Sequence, residues 1–292
     1  MLELGIGADI VRGIGLLIWL AFFACLAFAL WIGKNRRNKV MGAVLVTLLF
    51  IAPAAPGIYR AAVYKHNYAK AKVLFDERCK VAGEKVTRRV DGVDGVLLLK
   101  VRPSHSNADN FDPMYPGAAL FDERGGDEYI ATFLRYGYID PNHPEIRGQL
   151  SDEPTPRPGY RFVDVVDITD GKRYRYTADF VKEPYRYAMK LSRTLAPLDQ
   201  ARFGVTYDDI IDSADRKYWV AGTVLKVIDT QTSEVIAEQT RYLFDSGLGS
   251  TAGARSPWSW AATYVPGCPT AAWSGSATRH FVEQVLKTTK GE

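Results

Sequence analysis

The chain has 292 residues, of which 47% are apolar, 24% charged and 12% aromatic. That balance excludes a disordered chain, a collagen-like fibre and a small disulfide scaffold, and the length suits one large domain or two small ones. Only five of the 37 Lys+Arg and two of the 33 Asp+Glu precede position 58, so the basic pI of 8.8 belongs mainly to the N-terminal segment. The near-neutral remainder excludes nucleic acid as the main partner, because neutralising phosphates needs a basic surplus.

From Gly13 to Gly33 no residue is charged, and the run GIGLLIWLAFFACLAFALWIG is long enough to cross about 30 Å of hydrocarbon as a helix. Trp31 stands where an interfacial anchor belongs. Lys34, Arg36, Arg37 and Lys39 follow within six residues, and then a second uncharged run, Val40 to Tyr59, with Pro53 and Pro56 near its end. The pattern predicts a transmembrane hairpin over 1–59, with spans at about 13–33 and 40–59. The positive-inside rule puts the basic connection in the cytoplasm, so the N-terminus and everything after about Tyr59 lie in the periplasm of a bacterium. Two other readings fit parts of the pattern. One is a buried hairpin of a soluble protein. The other is a late signal peptide, with Lys34–Lys39 as n-region, Val40–Ile51 as h-region and Ala52-Pro53-Ala54 as cleavage box.

Beyond Tyr59 the stripe Ala62, His66, Ala69, Val73 predicts a helix over about 60–81, closed by Gly83, with a kink or break at Pro53–Gly57. Strand signals then dominate. Lys85–Val90 and Val96–Arg102 read as a hairpin about Asp91–Gly95. Tyr129–Tyr138 reads as another strand. Arg161–Ile168 and Lys172–Thr177 form a hairpin about Thr169-Asp170-Gly171. Ser192–Phe203 reads as a short helix or connector. Tyr218–Asp229 and Glu234–Phe244 form the longest hairpin, and Thr278–Lys287 a terminal helix. The fold class is α+β: the membrane hairpin followed by a mainly antiparallel-sheet region over 60–292, with the proline-rich 150–159 as the place where it could divide into two lobes.

Of three cysteines, Cys25 lies inside the first span. Cys79 and Cys268 both fall on the oxidising side, which predicts a disulfide between them. The histidines His66, His105, His143 and His280 show no metal-ligand spacing. Ser104–Asp109 contains Ser, His and Asp, but adjacency in sequence is not triad geometry. Gly247–Arg255 lacks the P-loop ending and the hydrolase elbow, and offers at most backbone amides and Arg255 to an anion. Asp208, Asp209, Asp212 and Asp215 lack the calcium-loop order. Asp122, Glu123, Asp127 and Glu128 could pair as acid and base. The densest functional signal is aromatic: Trp258, Trp260, Tyr264 and Trp273, with Arg255 beside them, either plug the core from a loop or offer anchors to a partner. No cofactor or metal is expected.

Phe75–Glu84, Arg202–Asp209, Ala214–Gly222, Val227–Glu238 and Arg255–Trp258 resemble segments of a group of uncharacterised proteobacterial inner-membrane proteins with the same two-span start. The resemblance covers most of the chain and brings no catalytic residues with it. It implies an inner-membrane protein with a periplasmic domain. Because some such proteins look like companions of secreted antibacterial effectors, it also implies immunity. The expected function is therefore an inner-membrane-anchored periplasmic binding protein. Its partners would be the bilayer and a protein, either an effector it neutralises or an envelope component. A periplasmic hydrolase and a structural or sensing subunit of an envelope complex are the alternatives.

Overall fold

The computed structural model describes residues 5–53, 55–138, 149–265, 267–269 and 275–289, with side chains from 13 onward. The chain forms two compact units, Met1–Asn67 and Tyr68–Glu292.

The first unit holds α1 (Gly5–Ile32), α2 (Arg36–Ile51) and the beginning of α3 (Ala55–Val81). Within α1, the 20 residues Gly13–Ile32 have a mean hydropathy of 2.5 and none is buried, so this helix is long and apolar enough to cross a membrane. With 16 residues α2 is too short to do so alone; α2 and α3 meet the same test only together, across a bend of 60°. The second uncharged run is thus broken rather than one straight span. Pro53 gives the reason: it has no N–H to donate, and its ring clashes with the carbonyl one turn back. Pro56 sits in the first turn of α3, where proline is tolerated. Lys34, Arg36, Arg37 and Lys39 are all exposed at the α1–α2 connection. Phe22 packs edge-on against Phe50 at 5.5 Å between ring centroids, and Gly42 faces Ala29 where α1 and α2 meet.

The second unit is built on one mixed sheet. In chain order it contains β1 (Gly83–Val86), β2 (Val90–Val93), β3 (Gly95–Leu98), α4 (Asp127–Leu134), β4 (Tyr136–Gly137), β5 (Leu150–Ser151), β6 (Phe162–Val166), β7 (Arg173–Lys182) and β8 (Tyr187–Leu195). It continues with β9 (Phe203–Ile210), α5 (Ser213–Arg216), β10 (Val220–Asp229), β11 (Glu234–Phe244), α6 (Pro257–Tyr264), α7 (Ala277–Val285) and β12 (Leu286–Thr288). The strand order is β1-β11-β10-β9-β3-β6-β7-β8. Most neighbours are antiparallel, but β3 runs parallel to both β6 and β9. The hairpins β6–β7 and β10–β11 form as the turn residues dictate. In the first, Asp167 accepts from the Thr169 amide at 2.8 Å and Gly171 takes φ +68°.

Four sequence expectations are corrected. Lys85–Val90 and Val96–Arg102 do not pair with each other: β1 pairs β11, β2 pairs β12 in parallel, and β3 crosses to the sheet centre. Tyr129–Tyr138 begins as helix α4 because Tyr129, Ile130, Phe133 and Leu134 share one helical face and are all buried. Ser192–Leu195 ends strand β8, so only 196–202 of the segment read as a short helix or connector is a connector. Trp258 to Tyr264 is helical, opened by Pro257 at its first position.

Helices α4 and α7 lay Tyr129, Ile130, Phe133, Phe281, Val282 and Val285 on the sheet, against Val96, Leu98, Val163, Val205, Leu225 and Val227. On the same face a second apolar cluster gathers Ala118, Ala119, Phe121, Ala221, Leu243, Trp258 and Ala261. The opposite face of β10–β11 carries Val220, Tyr242 and Phe244 against Ala71 and Phe75 of α3.

Candidate functional site

Between the two apolar clusters the sheet turns polar. Register places Asp209 of β9 opposite Thr223 of β10, and Thr223 opposite Arg241 of β11. Side chains alternate along strands, so all three project to the α4–α7 face. A cavity of about 260 Å³ lies in this seam, bounded chiefly by Arg102, His105, Tyr115, Glu123, Tyr207 and Asp209.

Arg102 is the centre of that cavity's wall and only 4% exposed. Its Nη1 donates to Asp209 and its Nη2 to the Thr223 hydroxyl, at 3.4 and 3.3 Å, both at the long end for hydrogen bonds. Its Nε lies 3.4 Å from Glu123 Oε2 without forming a hydrogen bond. The guanidinium rests 4.0 Å over the Tyr207 ring. Burial opposes the Arg102 charge, but Glu123 and Asp209 outweigh it and hold its pKa raised. Glu123 is turned mostly toward α7: it accepts from the Thr278 amide at 2.6 Å and hydroxyl at 2.7 Å, satisfying the first turn of that helix. Burial nevertheless pushes its carboxyl up, against the lowering by Arg102 and Thr278. Burial likewise raises Tyr115 and Tyr207, and depresses Arg241 despite Glu123, Asp122 and Glu84 nearby. Arg102, His105, Tyr115 and Pro103 meet through the loop after β3, which is held by Arg102 O accepting from the Gly126 amide at 2.8 Å.

Cys79 and Cys268 form a disulfide, with Cα atoms 5.5 Å apart. Around it, Cys268 and Tyr242 exchange two backbone hydrogen bonds of 2.8 and 2.9 Å, and Arg78 holds buried Asp215 bidentately at 2.8 Å on both oxygens. This is the anchor of the C-terminal end of α3 on the sheet.

The aromatic segment separates by face. Trp258 is fully buried, donates from Nε1 to the Asp112 carbonyl at 2.8 Å, and packs on Trp219 at 4.9 Å. Trp260 and Tyr264, one turn apart on α6, are 44% and 66% exposed and pack with ring centroids 4.6 Å apart and planes tilted by 46°. Trp273 and His143 lie outside the described residues. The glycine-rich loop does bind an anion, but that anion is the chain's own Asp245. This fully buried carboxylate accepts from the amides of Gly247 and Gly249 at 3.1 and 2.8 Å and pairs with Arg255.

The acidic cluster disperses. Asp208 pairs with Lys100 and Lys226, which lower its pKa; Asp212 caps α5 by accepting from the Ala214 amide; Asp215 serves Arg78; Asp209 alone faces the cavity. Asp109 accepts from the Ser106 amide and hydroxyl, while the His105 ring packs on Phe121 at 4.2 Å, so this loop is not arranged as a triad. Among the described residues, no three His, Cys, Asp or Glu are grouped to hold a metal. A larger, more open hollow of about 510 Å³ lies between α7 and the 149–158 stretch; of its charged groups, Glu283 is engaged by Arg279 and Lys287 by Asp91.

Sequence reasoning picked out Glu123 and Asp209 in separate acidic groups, and nothing local joined them. Arg102 carried no signal beyond being a cation at the end of a strand. Neither a family model nor a curated protein nor a solved structure matches the chain.

Proposed function

We propose that the chain is a bacterial inner-membrane-anchored binding protein whose Tyr68–Glu292 unit lies in the periplasm and engages a protein partner. The observation that carries this is the pairing of an apolar 20-residue helix at the N-terminus with a Cys79–Cys268 disulfide downstream. Disulfides persist in oxidising compartments, and an anchor keeps a periplasmic domain at the membrane surface, where its local concentration is high. The four cations at 34–39 orient the anchor with that connection in the cytoplasm. The exposed Trp260–Tyr264 pair gives the partner-binding surface its aromatic anchors, with Arg255 5.5 Å from the Trp260 ring. The resemblance to effector-associated inner-membrane proteins makes the partner an antibacterial effector and the role immunity.

A competition assay tests the role. A strain lacking the gene should be killed by sibling cells that carry the matching effector, and expression of the chain should restore survival. Full resistance of the deleted strain to all its siblings' effectors would remove immunity. Survival restored equally by a Trp260→Ser/Tyr264→Ser chain would remove the aromatic pair from the binding surface.

A further inference from the structure

We infer that the cavity at Arg102, Tyr115 and Asp209 is a binding site for a small zwitterion, a free α-amino acid, whose carboxylate Arg102 receives and whose ammonium Asp209 receives. This goes beyond the protein-binding reading and does not rest on it.

Three observations point to a ligand. First, a guanidinium with 4% exposure has an Nε–H without a hydrogen-bond partner, and its two hydrogen bonds are both long. Buried donors in folded proteins are satisfied, whereas this one has only the Glu123 carboxylate beside it, 3.4 Å away and not hydrogen-bonded, and the same side chain lines the hollow. Second, the hollow is large enough. About 260 Å³ is the liquid-volume share of about nine waters, which admits an amino acid with a small or medium side chain. Third, the wall carries both signs. A plain anion placed on Arg102 would lie close to Asp209 and Glu123, and a plain cation placed on Asp209 would lie close to Arg102. A molecule with one charge of each sign at short separation matches both. Tyr207 supplies an aromatic wall and Tyr115 a partly exposed one, with His105 and Pro103 on the open side. Nη1 and Nη2 of Arg102 each keep one N–H beyond the bonds to Asp209 and Thr223, which leaves the guanidinium able to donate to a carboxylate.

The test is titration calorimetry on the full chain in detergent, using the twenty common L-amino acids one at a time as probes. At least one should bind saturably with a dissociation constant below about 1 mM. N-acetylation of that amino acid removes its ammonium, and conversion to the amide removes its carboxylate. Each change should weaken binding by about tenfold or more. Asp209→Asn should weaken it to a similar degree, with circular dichroism showing that the variant is still folded. Arg102→Lys, which risks the fold, is not needed because the altered ligands probe the same contact. If none of the twenty binds a chain whose circular dichroism shows it folded, the inference falls. It falls equally if the acetylated or amidated forms bind as well as the parent. Failure of immunity in the competition assay would leave these titrations unaffected.

Discussion

At the scale of single residues, the buried carboxylates do opposite things with pH. Asp229 has no exposed surface and sits at the β10–β11 turn, where Arg202 donates to it from Nε at 3.0 Å and from Nη2 at 2.6 Å. Arg202, then Arg88 and the Gln231 amide, outweigh burial and hold its pKa well below the usual carboxylate range. A carboxylate depressed in the fold gives stability that is complete above its unfolded pKa of about 3.9 and is lost as pH falls through the folded value. Asp229→Asn should therefore lower the melting temperature most near neutral pH and flatten its decline below about pH 4. Superimposable acid limbs for the two proteins would show that Asp229 does not set this dependence. Glu123 has the opposite sign: its raised pKa gives stability that is present at acid pH and fades as pH rises through the folded value. Gly125 is a different kind of constraint. A Cβ there would run into the backbone of Pro103 and Ser104, the loop that carries Arg102 and His105. Backbone cannot rotate out of the way as a side-chain tip can. Gly125→Ala should lower stability by about 1–3 kcal/mol in denaturant titration, and because it displaces the cavity wall it should weaken any ligand held there. Unchanged stability would mean that the loop has room to retreat.

At the scale of elements, α6 shows how one short helix divides its labour. Trp258 faces the core under Ala118, Phe121 and Leu243, whereas Trp260 and Tyr264 face outward. Trp258→Ala should cost about 3–5 kcal/mol, and the pair Trp260→Ser/Tyr264→Ser less than about 1 kcal/mol. Chemical denaturation of the two variants measures both, and equal losses would contradict the division. This division was half legible in the sequence. The crowding of tryptophans marked the segment as special, but without a clear helical stripe nothing told which ring goes inward. Elements whose information is local were readable: the β6–β7 and β10–β11 hairpins carry their own turns, and α7 its own apolar face; α3 forms as a helix, but the stripe Ala62, His66, Ala69, Val73 is exposed, and Ala71 and Phe75 face the sheet instead. Those decided by distant packing were not. β3 is four buried residues whose partners β6 and β9 lie far along the chain, and an apolar run that short does not say which strand it will pair with. In α4 the aromatic and β-branched residues of a typical strand are overridden by burial of one helical face. The cavity is a harder case, because Arg102, Glu123 and Asp209 meet only when the loop after β3, the loop before α4, and β9 are assembled.

At the scale of the whole molecule, the chain divides between an apolar N-terminal unit and a sheet-based unit with its own core, and α3 runs from one into the other. The orientation proposed for the anchor predicts that alkaline phosphatase fused after Glu292 is active in cells and that a cytoplasmic reporter at the same point is silent. The reverse result would overturn the compartment. The same compartment gives the disulfide its meaning. Cys79 and Cys268 are 189 residues apart, so their bond closes nearly the whole sheet unit into one loop. Restricting the unfolded chain over such a loop is worth up to about 5 kcal/mol in the entropy model, with about 2–4 kcal/mol the usual yield. The anchor around it does not depend on the bond alone: Phe75 packs against Phe244 with ring centroids 5.5 Å apart, and Arg78 grips Asp215. The unit also buries a core large enough to fold by itself. Cys79→Ser and Cys268→Ser should therefore each leave a folded protein, less stable by about 2–4 kcal/mol. The double variant should be no less stable than either single one, because each single change already removes the whole bond. A double variant markedly weaker than both would mean that the two side chains stabilise the fold separately. If alkylation of the denatured, unreduced protein labelled both Cys79 and Cys268, the bond would not exist in the cell-derived chain. The Phe75 and Arg78 contacts would then hold α3 to the sheet without it.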